Sequence, residues 1–383
     1  MLFKDKFRLH TPGPTPIPPS VQHAMNRPMI GHRSSTCSAI IQESSKRLQP
    51  IFGTKQDVLI ITGSGTSALE SAVSNTVQAG DEVSVVVTGA FGDRFAKLTE
   101  RFGCHVHRLD IPWGERCTPE ELKSHLRQHP DVKAIFMTYC ETSTGVLNPI
   151  EELARVAREE TDALTIVDGV SCIGAVPMEM DAWGIDIAVT GSQKALMLPA
   201  GLAFVAVSER AWQVIENNAT PRFYLDLSAY RKSLGKQTTP YTPAVSLLFG
   251  LEEVLNLIEA QGMDNVIARH RLMMEMTRAG IRALGLPLVA TDEAASPTVT
   301  SVYGTNDVHV EDLRQTLSAM NVTVAGGQQH LKGQIFRIGH MGYCEPGDIL
   351  AVIATLEVAL KTLNVPVSLG RGVQAAEEVW ARV

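Results

Sequence analysis

The sequence has little with which to staple itself, cross a membrane or coat a polyanion. Its six cysteines (Cys37, Cys104, Cys117, Cys140, Cys172 and Cys344) are scattered, and no pair stands at CxxC spacing. That removes the usual signals for a zinc site or a dithiol redox motif. No basic block interrupts the chain: 34 Lys and Arg against 41 Asp and Glu give a formal charge of −7. Nucleic acid and anionic membrane are therefore not expected as partners, while a small anion in a local basic pocket stays open. No apolar run reaches the roughly 18 residues that suggest a membrane span. The opening stretch "MLFKDKFRLHTPGPTPIPP" lacks the apolar centre of a secretory signal. The nucleotide patterns GxxxxGK[ST] and GxGxxG are missing, as are internal repeats and low-complexity tracts. A reducing cytoplasm is the expected compartment.

What is there is an ordinary globular composition, 44% hydrophobic over 383 residues, enough to bury a large core without cross-links. Length alone suggests two or three domains. Apolar, β-branched runs at 57–62, 82–88, 133–139, 163–168, 186–190 and 202–208 read as strands buried on both faces. Helical patterns fall between most of them, near 65–79, 92–103, 118–129 and 149–160, and Thr118-Pro119 is a helix start with an N-cap threonine. This alternation predicts an α/β fold with a mostly parallel sheet. Beyond about residue 240 the pattern changes to two long helices (242–262 and 263–285), a strand near 298–303, a helix near 309–320, a strand at 334–339 and a helix near 346–363. The proline-rich stretch 11–19 is too donor-poor for a helix interior and predicts an extended arm.

Three stretches carry chemistry. In "TGSGTSALE" (62–70) a strand runs into Ser64-Gly65-Thr66 ahead of a helix, where free N–H groups and a bare glycine suit a phosphate. In "TIVDGVSC" (165–172) Asp168 falls at the carboxyl end of a strand, the edge where open α/β sheets bind ligands. In "TGSQKALMLPAG" (190–201) Lys194 sits between small residues and an apolar run, and a lysine in such a place loses its proton more readily. Each has a plain reading by itself: a capped glycine turn, an aspartate capping a turn, a loop lysine. A phosphate cradle, a carboxylate and a lysine at one sheet edge are together what pyridoxal phosphate requires.

With "PGPTPIPP", "TGSGTSALE", "CETSTGVLNPI", "VDGVS", "MDAWGIDIAVTGSQKAL", "PYTPAVSLLFGLEEVL", "FRIGHMG" and "PVSLGRGV" in view, nearly the whole chain resembles the class V, fold-type I pyridoxal-phosphate aminotransferases of the alanine–glyoxylate and serine–glyoxylate branch. The resemblance implies an arm (1–20), a large cofactor-binding domain (21–262) with a seven-stranded, mostly parallel sheet between helices, and a small α+β domain (263–383). It implies that Lys194 forms the Schiff base and moves the substrate proton, and that Asp168 partners the pyridine nitrogen. Ser64, Gly65, Thr66 and Gln193 would hold the phosphate. Phe91 would stack on the ring where the mammalian enzymes use tryptophan, with Thr142 nearby. Arg337 would clamp the substrate carboxylate. Tyr241 and Thr242 would reach the neighbouring subunit's cofactor, so that a homodimer shares its sites. His32 and Arg33 read either as lining the substrate entrance or as capping a helix. By themselves Arg337 reads as half of an ion pair and Phe91 as core.

The resemblance implies a ping-pong transaminase moving the amino group of alanine or serine to glyoxylate or pyruvate. A second substrate carboxylate would call for a second cation, so 2-oxoglutarate is expected to be poorly used. Other donors of the family, ureidoglycine and aspartate types, stay open. So does a lyase or cysteine desulfurase, for which Cys344 is the nearest nucleophile, and so does a non-enzymatic binding module.

Overall fold

A computed structural model describes residues 6–382. Seven strands form one sheet in the order Val58–Gly63, Gly201–Val207, Ile187–Gly191, Leu164–Asp168, Ala134–Thr138, Glu82–Val87 and His105–Asp110. Gly201–Val207 runs antiparallel to both neighbours, and every other pairing is parallel. The six runs read as strands all become strands of this sheet. Their apolar residues divide between its two faces: Val58 and Ile60 enter one core, Leu59 and Ile61 the other, and Phe204 and Val205 part the same way. A strand buried on both faces has no polar alternation, hence the continuous apolar runs.

The seventh strand, His105–Asp110, was not among the expected runs. It is one of the sheet's two edges, mostly half-buried, and its residues (His, Val, His, Arg, Leu, Asp) mix charge with apolar groups, as suits a solvent-facing edge. The helix Pro119–Gln128 begins as expected: Thr118 Oγ1 accepts from Glu121 N at 3.3 Å, and Glu121 Oε2 accepts from Thr118 N at 2.8 Å.

The long helices Val245–Gln261 and Met263–Ala283 are close to their expected spans. A second, four-stranded sheet follows in the order Arg8–His10, Val322–Gly326, Ile335–Gly339 and Val299–Tyr303, with the helices Val310–Ala319 and Pro346–Thr362 packed into its core. Arg8–His10 pairs in parallel with Val322–Val324. The chain thus supplies a strand to the C-terminal sheet just ahead of the proline-rich stretch; residues 11–18 form neither helix nor strand, and Pro19 already opens the helix Pro19–Met25. His10 holds the join, its ring nitrogen Nδ1 lying 3.2 Å from the Gly339 carbonyl oxygen.

Because the strands at 58–63, 82–87, 134–138, 164–168 and 187–191 share one direction, the segments leaving their carboxyl ends meet along one edge. Those segments carry Ser64-Gly65-Thr66, Phe91, Thr142, Asp168 and Lys194.

Candidate active site

A cavity of about 110 Å³ opens at that edge, and its lining includes Gly65, Thr66, Phe91, Thr142, Asp168, Gln193 and Lys194. Three remote stretches of sequence thus converge on one small space. Lys194 is buried, and burial lowers its pKa to about 8. Its ammonium donates to the Pro12 carbonyl, while Thr15 Oγ1 donates to the Lys194 carbonyl at 3.1 Å. The proline-rich arm therefore lies directly on the lysine. Gly13 permits this, with φ of +113° and a Cβ that would fall 2.5 Å from Lys194 Nζ.

Asp168 is also buried, and its carboxylate accepts one bond, from Val170 N at 2.9 Å. Burial pushes its pKa up to about 6. The carboxylate thus remains ionised at neutral pH while facing the cavity with unused acceptor capacity, the state suited to a protonated ring nitrogen.

The helix Gly65–Thr76 starts at the cavity, and its N-cap Ser64 makes no side-chain cap bond. Its first N–H groups and positive dipole end are aimed where a phosphate would lie. Gly65 is needed for close packing there, since a Cβ would come 2.9 Å from Val170. Beside it the Gln193 side-chain oxygen is buried without a hydrogen-bond partner, while a Cβ on Gly191 would lie 3.0 Å from that oxygen. An uncapped helix start, an unsatisfied carboxamide, an under-bonded carboxylate and a lysine of lowered pKa together fit pyridoxal phosphate.

The remaining expected residues, Arg337, Ser64, Tyr241 and Thr242, are not part of the cavity lining. Arg337 is buried, and its guanidinium donates to Gly326 O at 2.8 Å and to Thr142 O at 3.0 Å. Among the described residues it has no carboxylate within ion-pairing distance, unlike the ordinary arginine pair that its sequence also allowed. Burial lowers its pKa to about 10. Tyr241 is set apart: its hydroxyl donates to Phe223 O at 2.8 Å and its ring stacks on Tyr224 at 4.9 Å. Thr242 beside it is exposed, and Ser64 is exposed too. Arg33 donates to the carbonyl of Thr239 at 2.6 Å, anchoring the segment that leads to Tyr241, while His32 is half-buried on the same turn.

Three participants had no sequence signal of their own. Arg94 lines the cavity with its guanidinium 4.7 Å from the centre of the Phe91 ring. It is a cation at the cavity that the sequence reading did not single out. Helical i, i+3 spacing from Phe91 could have pointed to it. Cys140 also lines the cavity, its sulfur 2.9 Å from Ser296 Oγ, with burial raising the thiol to about 11. Glu141 is fully buried behind Phe91. Cys344, the nucleophile imagined for a desulfurase, is buried, and burial pushes its thiol up to about 12. That is the reverse of an activated thiolate.

Comparison with known proteins agrees with this geometry. Residues 10–344 match the model of the family described as Aminotransferase class-V. An uncharacterized aminotransferase of Methanocaldococcus jannaschii is 45% identical, covering 97% of each chain. A protein of Synechococcus sp. named as the small subunit of a soluble hydrogenase is 42% identical, over 98% of this chain and 99% of its own. Serine–glyoxylate aminotransferase of Arabidopsis thaliana is 34% identical, over 97% of this chain and 94% of its own. The crystal structure of ureidoglycine–glyoxylate aminotransferase from Bacillus subtilis superposes with a TM-score of 0.94 at 32% identity, covering 99% of both chains. With the family model spanning most of the chain and the lysine, carboxylate and phosphate loop gathered at one sheet edge, the chain belongs to the class-V aminotransferases and is a pyridoxal-phosphate-dependent enzyme of the transaminase type.

Proposed function

We propose that this enzyme moves the amino group of a small L-amino acid, alanine or serine, to glyoxylate or pyruvate in two half-reactions of a ping-pong cycle. The observation that carries the reading is the pair Lys194 and Asp168: a lysine brought by burial to a pKa of about 8 and an under-bonded carboxylate, on the wall of one cavity. Pyridoxal phosphate, when bound, supplies an aldehyde for amine exchange and an electron-accepting ring. Lys194 would carry it, and as a neutral amine the Lys194 side chain would take the Cα proton and return it. Asp168 would set negative charge against the ring nitrogen. Ser64, Gly65, Thr66 and Gln193 would hold the phosphate, with Phe91 and Thr142 beside the ring.

Arg337 receives the substrate carboxylate as a fork, a role left open to it because no carboxylate of the described residues pairs with it. A small donor and glyoxylate accord with the serine–glyoxylate relative and with the resemblance read from the motifs. The exposed Thr242, beside the aromatic group of Tyr241, Tyr224 and Phe223, supports a homodimer in which these residues reach the partner's cofactor. The division into an arm (1–20), a cofactor domain (21–262) and a small domain (263–383) is supported by a seven-stranded sheet within 21–262 and by three strands of the second sheet within 263–383, the fourth strand of that sheet coming from Arg8–His10. Six free cysteines support a cytoplasmic enzyme. No helix among the described residues is long and apolar enough to cross a membrane.

Borohydride reduction of the yellow holoenzyme, followed by peptide mapping, is expected to place the label on Lys194. Mixing the enzyme with single amino acids is expected to bleach the cofactor band with alanine or serine, and glyoxylate or pyruvate to restore it. A label on another lysine, or a cycle that runs only on aspartate or ureidoglycine, would overturn the corresponding part of the reading.

A further inference from the structure

We infer that Glu141 is a positioning residue, a carboxylate that caps the helix carrying Phe91 from outside and ties it to the turn that holds Arg337. The inference rests on the roles proposed above for Phe91 and Arg337. The helix Ala90–Arg101 has Gly89 as its N-cap, a residue with no side chain to satisfy the first N–H groups. Those groups find partners some fifty residues away in sequence. Glu141 accepts from Phe91 N at 3.0 Å and Gly92 N at 3.0 Å, and Ser143 Oγ accepts from Ala90 N at 3.0 Å. Ser143 in turn donates to Glu141 from its hydroxyl at 2.5 Å and from its N–H at 3.1 Å.

Gly89 makes this approach possible, since a Cβ there would fall 2.4 Å from Glu141 Cγ and 2.5 Å from Ser143 Oγ. Glu141 has no exposed surface, and no Lys or Arg among the described residues lies within ion-pairing distance. A buried carboxylate without a cation is costly unless donors surround it. Here four donors and the positive end of a helix do so.

The residue next to Glu141 completes the link. Thr142 offers its carbonyl to Arg337 at 3.0 Å and its hydroxyl to Ser171 Oγ at 2.5 Å, three residues beyond Asp168. One turn, 141–143, therefore touches the start of the Phe91 helix, the carboxylate clamp and the segment after Asp168. Glu141 itself is not part of the cavity lining, and it acts through Phe91 and through the turn that carries Thr142.

The test is made on the full-length holoenzyme. Glu141→Gln sets an amide N–H against backbone N–H groups at one position. The dissociation constant for pyridoxal phosphate is expected to rise about tenfold, as for one lost buried acceptor. The KM of the amino donor should rise with it, while kcat falls less. In a Phe91→Ala background the same substitution should add less than twofold to the cofactor constant, because the anchor it holds is gone. An unchanged cofactor constant in Glu141→Gln, or two changes that simply multiply in the double variant, overturns the inference. Ser143→Ala withdraws the Ala90 acceptor and one donor to Glu141. It should show the same pattern at smaller size, and it carries the test if Glu141→Gln does not fold. Should Phe91→Ala alone leave cofactor affinity unchanged, the proposed role of Phe91 fails, and the inference with it.

Discussion

Asp168 and Glu141 are both buried at the same sheet edge, and their surroundings differ. Asp168 receives one backbone N–H, while Glu141 receives four donors from two segments. Burial raises the pKa of each. The difference separates a carboxylate held ready for a ligand from one whose bonding is complete within the protein. Spare acceptor capacity in a buried ion is unfavourable to the fold and favours the cofactor, so the less comfortable of the two faces the chemistry.

Removing the ready charge should have the largest effect. Asp168→Ala is expected to lower turnover on the order of a hundredfold or more, the usual scale for a lost electrostatic partner in a closed site. Steady-state rates at saturating cofactor check this, and a loss under threefold would erase the distinction drawn here.

The next effect concerns stability and should have opposite signs at the two positions. In the cofactor-free protein at pH 8, Asp168→Asn removes a poorly solvated charge and should stabilise the fold, by on the order of 2 kcal/mol. Glu141→Gln leaves backbone N–H groups facing an amide and should destabilise it, by about 2 kcal/mol. Urea unfolding of the two variants decides the matter, and shifts of the same sign would show that the carboxylates play one role.

The smallest effect is on pH dependence. The folded pKa of Asp168, about 6, lies above its ordinary value of 3.8. The folded state therefore keeps a proton that the unfolded chain has lost, and the Asp168 contribution to stability declines as pH rises through that window. Lys194 is shifted the other way, to about 8 from 10.5, so its contribution rises with pH between those values. Amine-directed labelling of cofactor-free protein should show Lys194 reacting with a midpoint near pH 8. A midpoint above 10 would mean that burial does not prepare the lysine.

Much of the fold is legible in the amino-acid sequence. The six apolar strands were legible because a strand buried on both faces must be apolar throughout, and this includes Val58–Gly63 at the sheet's other edge. His105–Asp110 was not, because an edge strand carries charge to avoid mispairing. The pairing of Arg8–His10 with Val322–Val324 was also hidden, since no local pattern reports a partner more than three hundred residues away. Within the site, Lys194, Asp168 and the phosphate loop each sit in a distinctive local context. Arg94 and Glu141 do not: one acts by helical geometry from Phe91, the other by bonds to a distant helix start. The residues that line the cavity were easier to single out from sequence than the groups that hold them in place.

The same pairing of Arg8–His10 bears on biosynthesis. A nascent chain emerging at about 5–20 residues per second needs roughly 15–60 s to extend from its tenth residue to its three hundred and twenty-second. Until then the first strand has no neighbour, and the arm that runs from it over Lys194 has nothing to anchor its outer end. The lysine can thus be fully enclosed only after residues 322–324 are made, some three hundred residues later than the segment that encloses it.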